Sequence, residues 1–289
     1  MEKTRPNIRH VEVSEIERFI ANVGERPFRV KQIVEWLWQK HAHSFDEMTD
    51  LSKDLRKQLV EHFTFPALQI DVTQQSEDGT LKTRFRTFDD HLIEGVLIPT
   101  SERKTACVSS QIGCSLSCKF CATGTMDRKR NLNFDEIYDQ VVYINQQSEA
   151  THEKHLSNIV FMGMGEPLMN YHNVLKAIEK ITSPEGLGMS AKRITVSTAG
   201  LVKQIRQLGD DGVKFKLAIS LHAPNDKKRN EVMPINESNN IKSLVEALNY
   251  FYKKTGTEIS FEYILFKDFN DSEKDAEELT KIYRQVPAD

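Results

Sequence analysis

The sequence has little from which a cross-linked or membrane protein could be built. Only four of its 289 residues are cysteine, and all four fall between Cys107 and Cys121. That clustering excludes a disulfide-stapled secreted scaffold, whose cysteines are spread along the chain. No window approaches the roughly 18–20 apolar residues of a spanning helix, and no long apolar run follows the N-terminus. The expectation is therefore a cytoplasmic, soluble protein with free thiols. Excess positive charge is also missing. A net charge of −3 argues against indiscriminate nucleic-acid binding, although it leaves room for a local basic patch. One such patch runs from Arg103 to Arg130 and contains Lys104, Lys119, Arg128 and Lys129, with Asp127 as its single acid.

What is present is concentrated in Gly113-Cys114-Ser115-Leu116-Ser117-Cys118-Lys119-Phe120-Cys121. Three cysteines at C-x3-C-x2-C spacing, with an aromatic before the last, can wrap one small inorganic centre. Three thiolates on a [4Fe–4S] cube leave one iron open for a substrate or cofactor. A closed zinc site wants all four positions filled, and Cys107 could be the fourth. Zinc sites usually pair two C-x2-C units a dozen or more residues apart, and this sequence has one. The spacing favours an iron–sulfur cluster and leaves zinc open.

Around this loop the pattern divides the chain in three. Residues 1–66 read as a helical, RNA-binding-like domain. Ser14 to Glu17 looks like a capping box, Pro27 precedes a helical run from Val30 to Trp38, and Thr49 or Ser52 starts a helix whose face is Leu55, Leu59 and Phe63. Trp36 and Trp38 read as core and edge residues. Residues 67–100 change to period two. Leu68-Ile70-Val72 alternates with polar residues, Asp78-Gly79 signals a hairpin, and strands follow at Leu81–Thr87 and Leu92–Pro99. Glu94 interrupts the second of these. It either points to solvent or faces inward, where burial would raise its pKa and make it a candidate proton acceptor. Residues 101–289 alternate strand and helix, with strands at 105–109, 158–162, 193–198, 213–220 and 258–265. Repeated βα units predict a parallel sheet, open or closed into a barrel, so the fold class is α/β. Ligands of such sheets bind at the carboxyl ends of the strands. The cysteine loop, Gly163-Met-Gly-Glu-Pro167, Ser197-Thr198 and Ser220-Leu221-His222 all fall there.

The cysteine loop resembles the signature of radical S-adenosylmethionine (SAM) enzymes. Cys107-Val-Ser-Ser-Gln-Ile-Gly-Cys114, Met162-Gly-Met-Gly-Glu-Pro167 and Ser220-Leu-His-Ala-Pro-Asn225 narrow the resemblance to the RlmN-type adenosine-C2 RNA methyltransferases, relatives of Cfr. It covers nearly the whole chain, including Pro27-Phe28-Arg29 and Phe45-Asp46-Glu47-Met48-Thr49. It implies a radical SAM partial barrel of (β/α)6 type with a [4Fe–4S] cluster on Cys114, Cys118 and Cys121 and SAM chelating the open iron. Gly165, Glu166, Ser197, Ser220, Leu221 and His222 match SAM contacts. Reduction of the cluster by an external, flavodoxin-like donor would yield a 5′-deoxyadenosyl radical, which abstracts hydrogen from a methylated cysteine. Cys107 matches the thiol that closes a disulfide to release product, and Glu94 the proton acceptor. The implied substrates are an adenosine of 23S ribosomal RNA and the adenosine beside the anticodon of transfer RNA, handled by a monomer. The helical domain and Arg128-Lys129-Arg130 would contact phosphates.

The methyl-carrying cysteine of that family, a sixth barrel strand and a SAM-contacting asparagine have no match before Asp289, and no cysteine follows Cys121. Val286-Pro287-Ala288-Asp289 reads as a linker into that strand. The expectation is a fragment that binds cluster and SAM without methylating RNA. The readings that compete with this one are a Cfr-like carbon-8 methyltransferase, another radical SAM enzyme sharing only the cysteine loop, and a zinc-stabilised RNA-binding module.

Overall fold

The computed structural model describes residues 5–288. Three helices open the chain: α1 (Val13–Asn22), α2 (Phe28–Trp38) and α3 (Lys53–His62). Each buries a stripe at helical spacing: Ile16, Phe19 and Ile20, then Val30, Ile33, Leu37 and Trp38, then Leu55 and Leu59. Ser52 caps α3, its hydroxyl accepting from Leu55 N at 3.1 Å. The capping box expected at Ser14 and Glu17 does not form. Helix α1 begins two residues earlier, with Glu12 at the N-cap, so Ser14 lies inside the first turn and caps nothing.

The strands that follow are β1 (Gln69–Gln75), β2 (Leu81–Arg86), β3 (Leu92–Pro99), β4 (Lys104–Cys107), β5 (Gln111–Ile112), β6 (Arg130–Asn131), β7 (Asn158–Phe161), β8 (Ile194–Thr198), β9 (Lys216–Ser220) and β10 (Ile259–Glu262). Eight of them form one sheet in the order β1-β2-β3-β4-β7-β8-β9-β10. The first four pair antiparallel and the rest parallel. The hairpin segment is thus continuous with the barrel sheet. Strand β1 is one of its two edges. A register shift between Ile70 and Val72 breaks the alternation there, and the two side chains stand 46% and 40% exposed, away from the core the period-two pattern suggested. Beyond β10, Ala288 makes a single parallel bridge to Ile259.

Helices α4 (Phe134–His152), α5 (Tyr171–Thr182), α6 (Val202–Asp210), α7 (Asp226–Val232), α8 (Ile241–Thr255) and α9 (Glu273–Tyr283) complete the α/β pattern. One face of the parallel strands is dry: Ala106, Ile159, Phe161, Ile194, Val196, Leu217, Ile219 and Ile259 are buried. The register fixes what the other face carries, because directly paired residues point to the same side. Val96 pairs with Cys107, Cys107 with Val160, Val160 with Thr195, Ser197 with Ala218, and Ser220 with Glu262. Glu94, Cys107, Ser197, Ser220 and Glu262 therefore share one concave face.

A buried ion pair fixes the helical domain to this barrel. Arg9 Nη1 meets Asp139 Oδ1 at 2.5 Å and its Nη2 meets Asp135 Oδ2 at 3.2 Å, both acids lying one turn apart on α4. Asn7 and His10 also bond Asp135, each at 2.9 Å, and Tyr138 donates to Trp38 O at 2.6 Å. We expect Arg9→Met to leave Asp139 buried without a counter-ion and Asp135 with His10 alone, and to cost about 3–5 kcal/mol. Chemical denaturation measures this, and a loss below about 1 kcal/mol would show that the ion pair is not the anchor.

Candidate active site

The cysteine loop is a closed excursion held on every side. Strands β5 and β6 pair at its neck, an element the sequence pattern did not reveal, and Lys129 N donates to Ile112 O at 2.8 Å. Cys121 N donates to Cys118 O at 3.1 Å, and Lys119 N reaches Val232 O at the end of α7 at 3.0 Å. The Phe120 ring stands edge-on to His222 with centroids 4.7 Å apart. So held, Cys114, Cys118 and Cys121 open into one cavity with Gly165, Glu166, Ser197, Ser220 and Glu262.

The strand ends supply the rest of the wall. Gly165 has φ +92°, and a Cβ there would sit 2.6 Å from Gln111 Cγ. Gly163 is as crowded, with Ser109 Oγ 2.7 Å from the same imagined atom. Both glycines are required by close approach of the neck strand β5 and the segment before it, not only by the turn. The Glu166 carboxylate is buried and accepts from Leu168 N at 2.9 Å and Ala199 N at 2.7 Å. Burial pushes its pKa above the usual carboxylate range against those two amides. Glu262, which sequence reasoning passed over, accepts from Ser197 Oγ at 2.9 Å and Ser220 Oγ at 3.1 Å. It is the polar end of the fifth parallel strand, so the strand-end argument applied to the other four would have found it. Gln111 was also missed. It accepts from Glu166 N at 2.8 Å and donates to Asn131 at 2.7 Å, joining the neck to the cavity wall.

The remaining predicted residues do not line the cavity. Leu221 and His222 stand behind it, Leu221 N donating to Glu262 O at 3.0 Å and His222 Nδ1 accepting from Ile264 N at 3.2 Å. Burial, aided by the Arg229 charge, holds His222 down to about 4, so the imidazole is neutral near pH 7. Cys107 lies on the concave face, its thiol pushed up to about 11 by burial and by the Glu262 charge, with Met162 N–H opposing. Glu94 is 43% exposed and pairs with Lys82 Nζ at 2.8 Å. Within the basic patch, Arg128 and Lys129 are exposed, but Arg130 is held by Asp89 and Glu136 at 2.7 Å each. Lys104 is buried, donating to Thr100 O at 2.6 Å. Arg130 is thereby a structural tie between the β2–β3 turn and α4, and the expectation that it serves as a free phosphate contact is corrected.

The donor set fits a multi-iron centre better than a single ion. Burial and the neighbouring Cys114 and Cys121 push the Cys118 thiol up to about 12, and burial raises Cys114 as well. Thiols so raised ionise together only when a cationic centre joins them. Among the described residues no three His, Cys, Asp or Glu side chains gather closely enough to hold one metal ion. A cube, in contrast, gives each thiolate its own iron.

Comparison with known proteins agrees with this geometry. Residues 108–280 match the radical SAM superfamily, and residues 6–65 match the ribosomal RNA large subunit methyltransferase N-terminal domain. A Cytophaga hutchinsonii protein named "Probable dual-specificity RNA methyltransferase RlmN" is 54% identical over 97% of this chain and 77% of its own length. The Anaeromyxobacter protein named "Dual-specificity RNA methyltransferase RlmN" is 44% identical over 98% of this chain and 76% of its own. The crystal structure of a radical SAM methyltransferase from Sphaerobacter thermophilus superposes with a TM-score of 0.90 at 39% identity, covering 98% of this chain and 83% of that one. The fold is that of a radical SAM partial barrel, whose class works with a [4Fe–4S] cluster and SAM. Within that class, the chain belongs to the RlmN family of RNA methyltransferases.

Two outcomes follow from the cavity wall. Gly165→Ala should cost about 1–3 kcal/mol through overpacking against Gln111 on top of its backbone strain. Gly188→Ala, at φ +64° with nothing within 4 Å, should cost only about 1 kcal/mol. Equal losses in thermal or denaturant unfolding would refute the close-approach argument. His222 binds its proton less readily folded than unfolded, so its contribution to stability is complete above pH 6.5 and is lost as pH falls toward about 4. His222→Asn tolerates φ +55° and keeps an acceptor for Ile264 N–H. It should flatten that slope, worth about 3 kcal/mol at most. An unchanged pH profile of unfolding would assign the slope elsewhere.

Proposed function

We propose that this chain is the catalytic body of an enzyme that methylates carbon 2 of adenosine in 23S ribosomal RNA and in transfer RNA beside the anticodon, through a methylated cysteine. The observation that carries the reading is the convergence of Cys114, Cys118 and Cys121 on one cavity with Gly165, Glu166, Ser197 and Ser220. In this proposal the three thiolates hold the [4Fe–4S] cluster. The turn at Gly165 and Glu166 takes the SAM ammonium, where a carboxylate in the cavity wall suits a cation. Ser197 and Ser220 bind its polar atoms, while Leu221 and His222 fix the β9 end from behind. When bound, the cluster and SAM supply one-electron, radical-generating chemistry.

The protein's own part is orientation, proton handling and exclusion of water. Cys107 is the redox thiol that releases product, and its placement on the concave face next to Glu262 supports contact with whatever occupies the barrel. Glu94 is the proton acceptor, on the same face two positions from Val96, the partner of Cys107. Its carboxylate is presented by Lys82 and half open to solvent, as a group that must give up protons requires. Arg128 and Lys129, exposed at the rim of the cysteine loop, and the helical domain meet RNA phosphates. No helix among the described residues is long and apolar enough to cross a membrane. The proposal takes the enzyme as a cytoplasmic monomer supplied with electrons by a flavodoxin-like protein.

Anaerobic reconstitution tests this directly. We expect about four irons and matching sulfide per chain with a brown chromophore, abolished by Cys118→Ala, and SAM retention that requires the loaded cluster. A colourless protein holding one zinc would overturn the reading. Nucleoside analysis of the organism's ribosomal and transfer RNA should find the methyl group on adenine carbon 2, and a methyl group on carbon 8 would transfer the assignment to a Cfr-like activity.

A further inference from the structure

Arg229 lies on α7 behind the cysteine loop with 0% exposure. Its Nε donates to Leu221 O at 3.1 Å and its Nη1 to Asn236 Oδ1 at 2.7 Å. Its Nη2 donates to Ala199 O at 2.6 Å and Ser220 O at 3.1 Å. Every one of these acceptors is neutral. Arg9, the other buried guanidinium, touches two carboxylates. A buried cation without a counter-ion is strongly unfavourable, and burial holds Arg229 down to about 10. Two of the carbonyls it holds, those of Ala199 and Ser220, belong to residues that line the cavity into which Cys118 opens. Asp226 is exposed and reaches it only through the Asn236 amide, which donates to Asp226 Oδ1 at 2.9 Å. Glu166 is one peptide unit away, across Ala199. Inside the protein the acidic groups on its side of the cavity are therefore Glu166, across that peptide unit, and the three thiols. The backbone ties the thiol loop to the helix of Arg229, since Lys119 N, one residue after Cys118, donates to Val232 O at the end of α7.

We propose that Arg229 is the fixed counter-charge of the three-thiolate site and raises the potential at which the iron–sulfur centre held there accepts an electron. The inference rests on the cofactor reading above. A centre ligated by three thiolates becomes more negative by one charge on reduction, and a cation fixed in a low-dielectric wall stabilises that reduced form. Water and salt cannot reach the guanidinium to screen it. Arg229 touches no ligand atom. It acts by its field, and its hydrogen bonds to three carbonyls keep the charge at a constant distance.

The test is the midpoint potential of the reconstituted cluster, followed by electron paramagnetic resonance during anaerobic titration. Arg229→Gln should lower the potential, and Arg229→Lys, which keeps the charge and loses the fork, should restore most of the fall. A merely structural role predicts equal behaviour of the two. Because glutamine leaves carbonyls unbonded and can unfold the strand ends, a second variant moves charge while keeping every hydrogen bond that Arg229 donates. The exchange Asp226→Asn with Asn236→Asp keeps the net charge and the contact to Arg229 while placing a carboxylate directly on the guanidinium. It should lower the potential while preserving the circular dichroism and melting temperature of the parent. A parent protein that assembles no cluster defeats the cofactor reading itself. A cluster that assembles fully and keeps one potential in the parent and in the exchanged variant defeats the counter-charge inference alone.

Discussion

The peptide unit at Ala199 is held between two buried charges. Its N–H is taken by the Glu166 carboxylate at 2.7 Å and its carbonyl by the Arg229 guanidinium at 2.6 Å. Through Arg229 the same constraint reaches the carbonyls of Ser220 and Leu221, and through Glu166 it reaches Leu168 N and the turn at Gly165. Strand ends are where a parallel sheet runs out of partners and its backbone groups need others. Here an acid from one strand end and a base from a helix behind the next supply them. The wall of the cavity is therefore set in part by two buried side chains, of which Glu166 also lines it, and the end of β9 that carries Ser220 is placed with them.

The same economy of connection appears at larger scale. The cysteine loop is clamped by the β5–β6 neck, by Phe120 against His222, and by Lys119 N on α7. Its three thiols are thus presented from a fixed frame, which matters because thiolates that repel one another will spread apart unless the backbone holds them. The helical domain depends on the barrel in a similar way. Asp135 and Asp139 face inward from α4, and one guanidinium from the segment before α1 satisfies both. A rigid junction there positions any RNA bound by the domain relative to the cavity mouth.

Glu94 and Cys107 illustrate how a sheet can bring distant residues to one surface without bringing them to one pocket. They share the concave face through the Val96–Cys107 register, yet neither lines the cavity that holds the three cysteines. Glu94 is held by Lys82 on the adjacent strand, and Cys107 is buried near Glu262. The concave face therefore carries two zones, a deep one at the strand ends and a shallower one along the antiparallel strands, and a substrate spanning both would meet thiol, carboxylate and cofactor site in turn.

Much of this protein was legible in its residues because the signals are local. Three thiols within eight residues, the period change after Phe65-Pro66, and the β-then-α alternation are short-range patterns, so the α/β architecture, the strand-end location of the site and most cavity residues followed from them. The misses share a cause. Helix α7 is too short for periodicity to register, and β5 and β6 are two residues each, paired across the cysteine loop. Ser14 looked like a cap because a capping box is a pattern of spacing, while the true start of α1 depends on how the preceding segment docks. Arg130 looked free because its partners Asp89 and Glu136 come from two other elements. The sequence by itself determined the chemistry on offer and which end of the sheet would carry it, since both depend on residue type and neighbours in the chain. Only the tertiary structure decided which charges are silenced by partners and which, like Arg229, are buried among neutral acceptors, because burial and long-range pairing are properties of the packed chain.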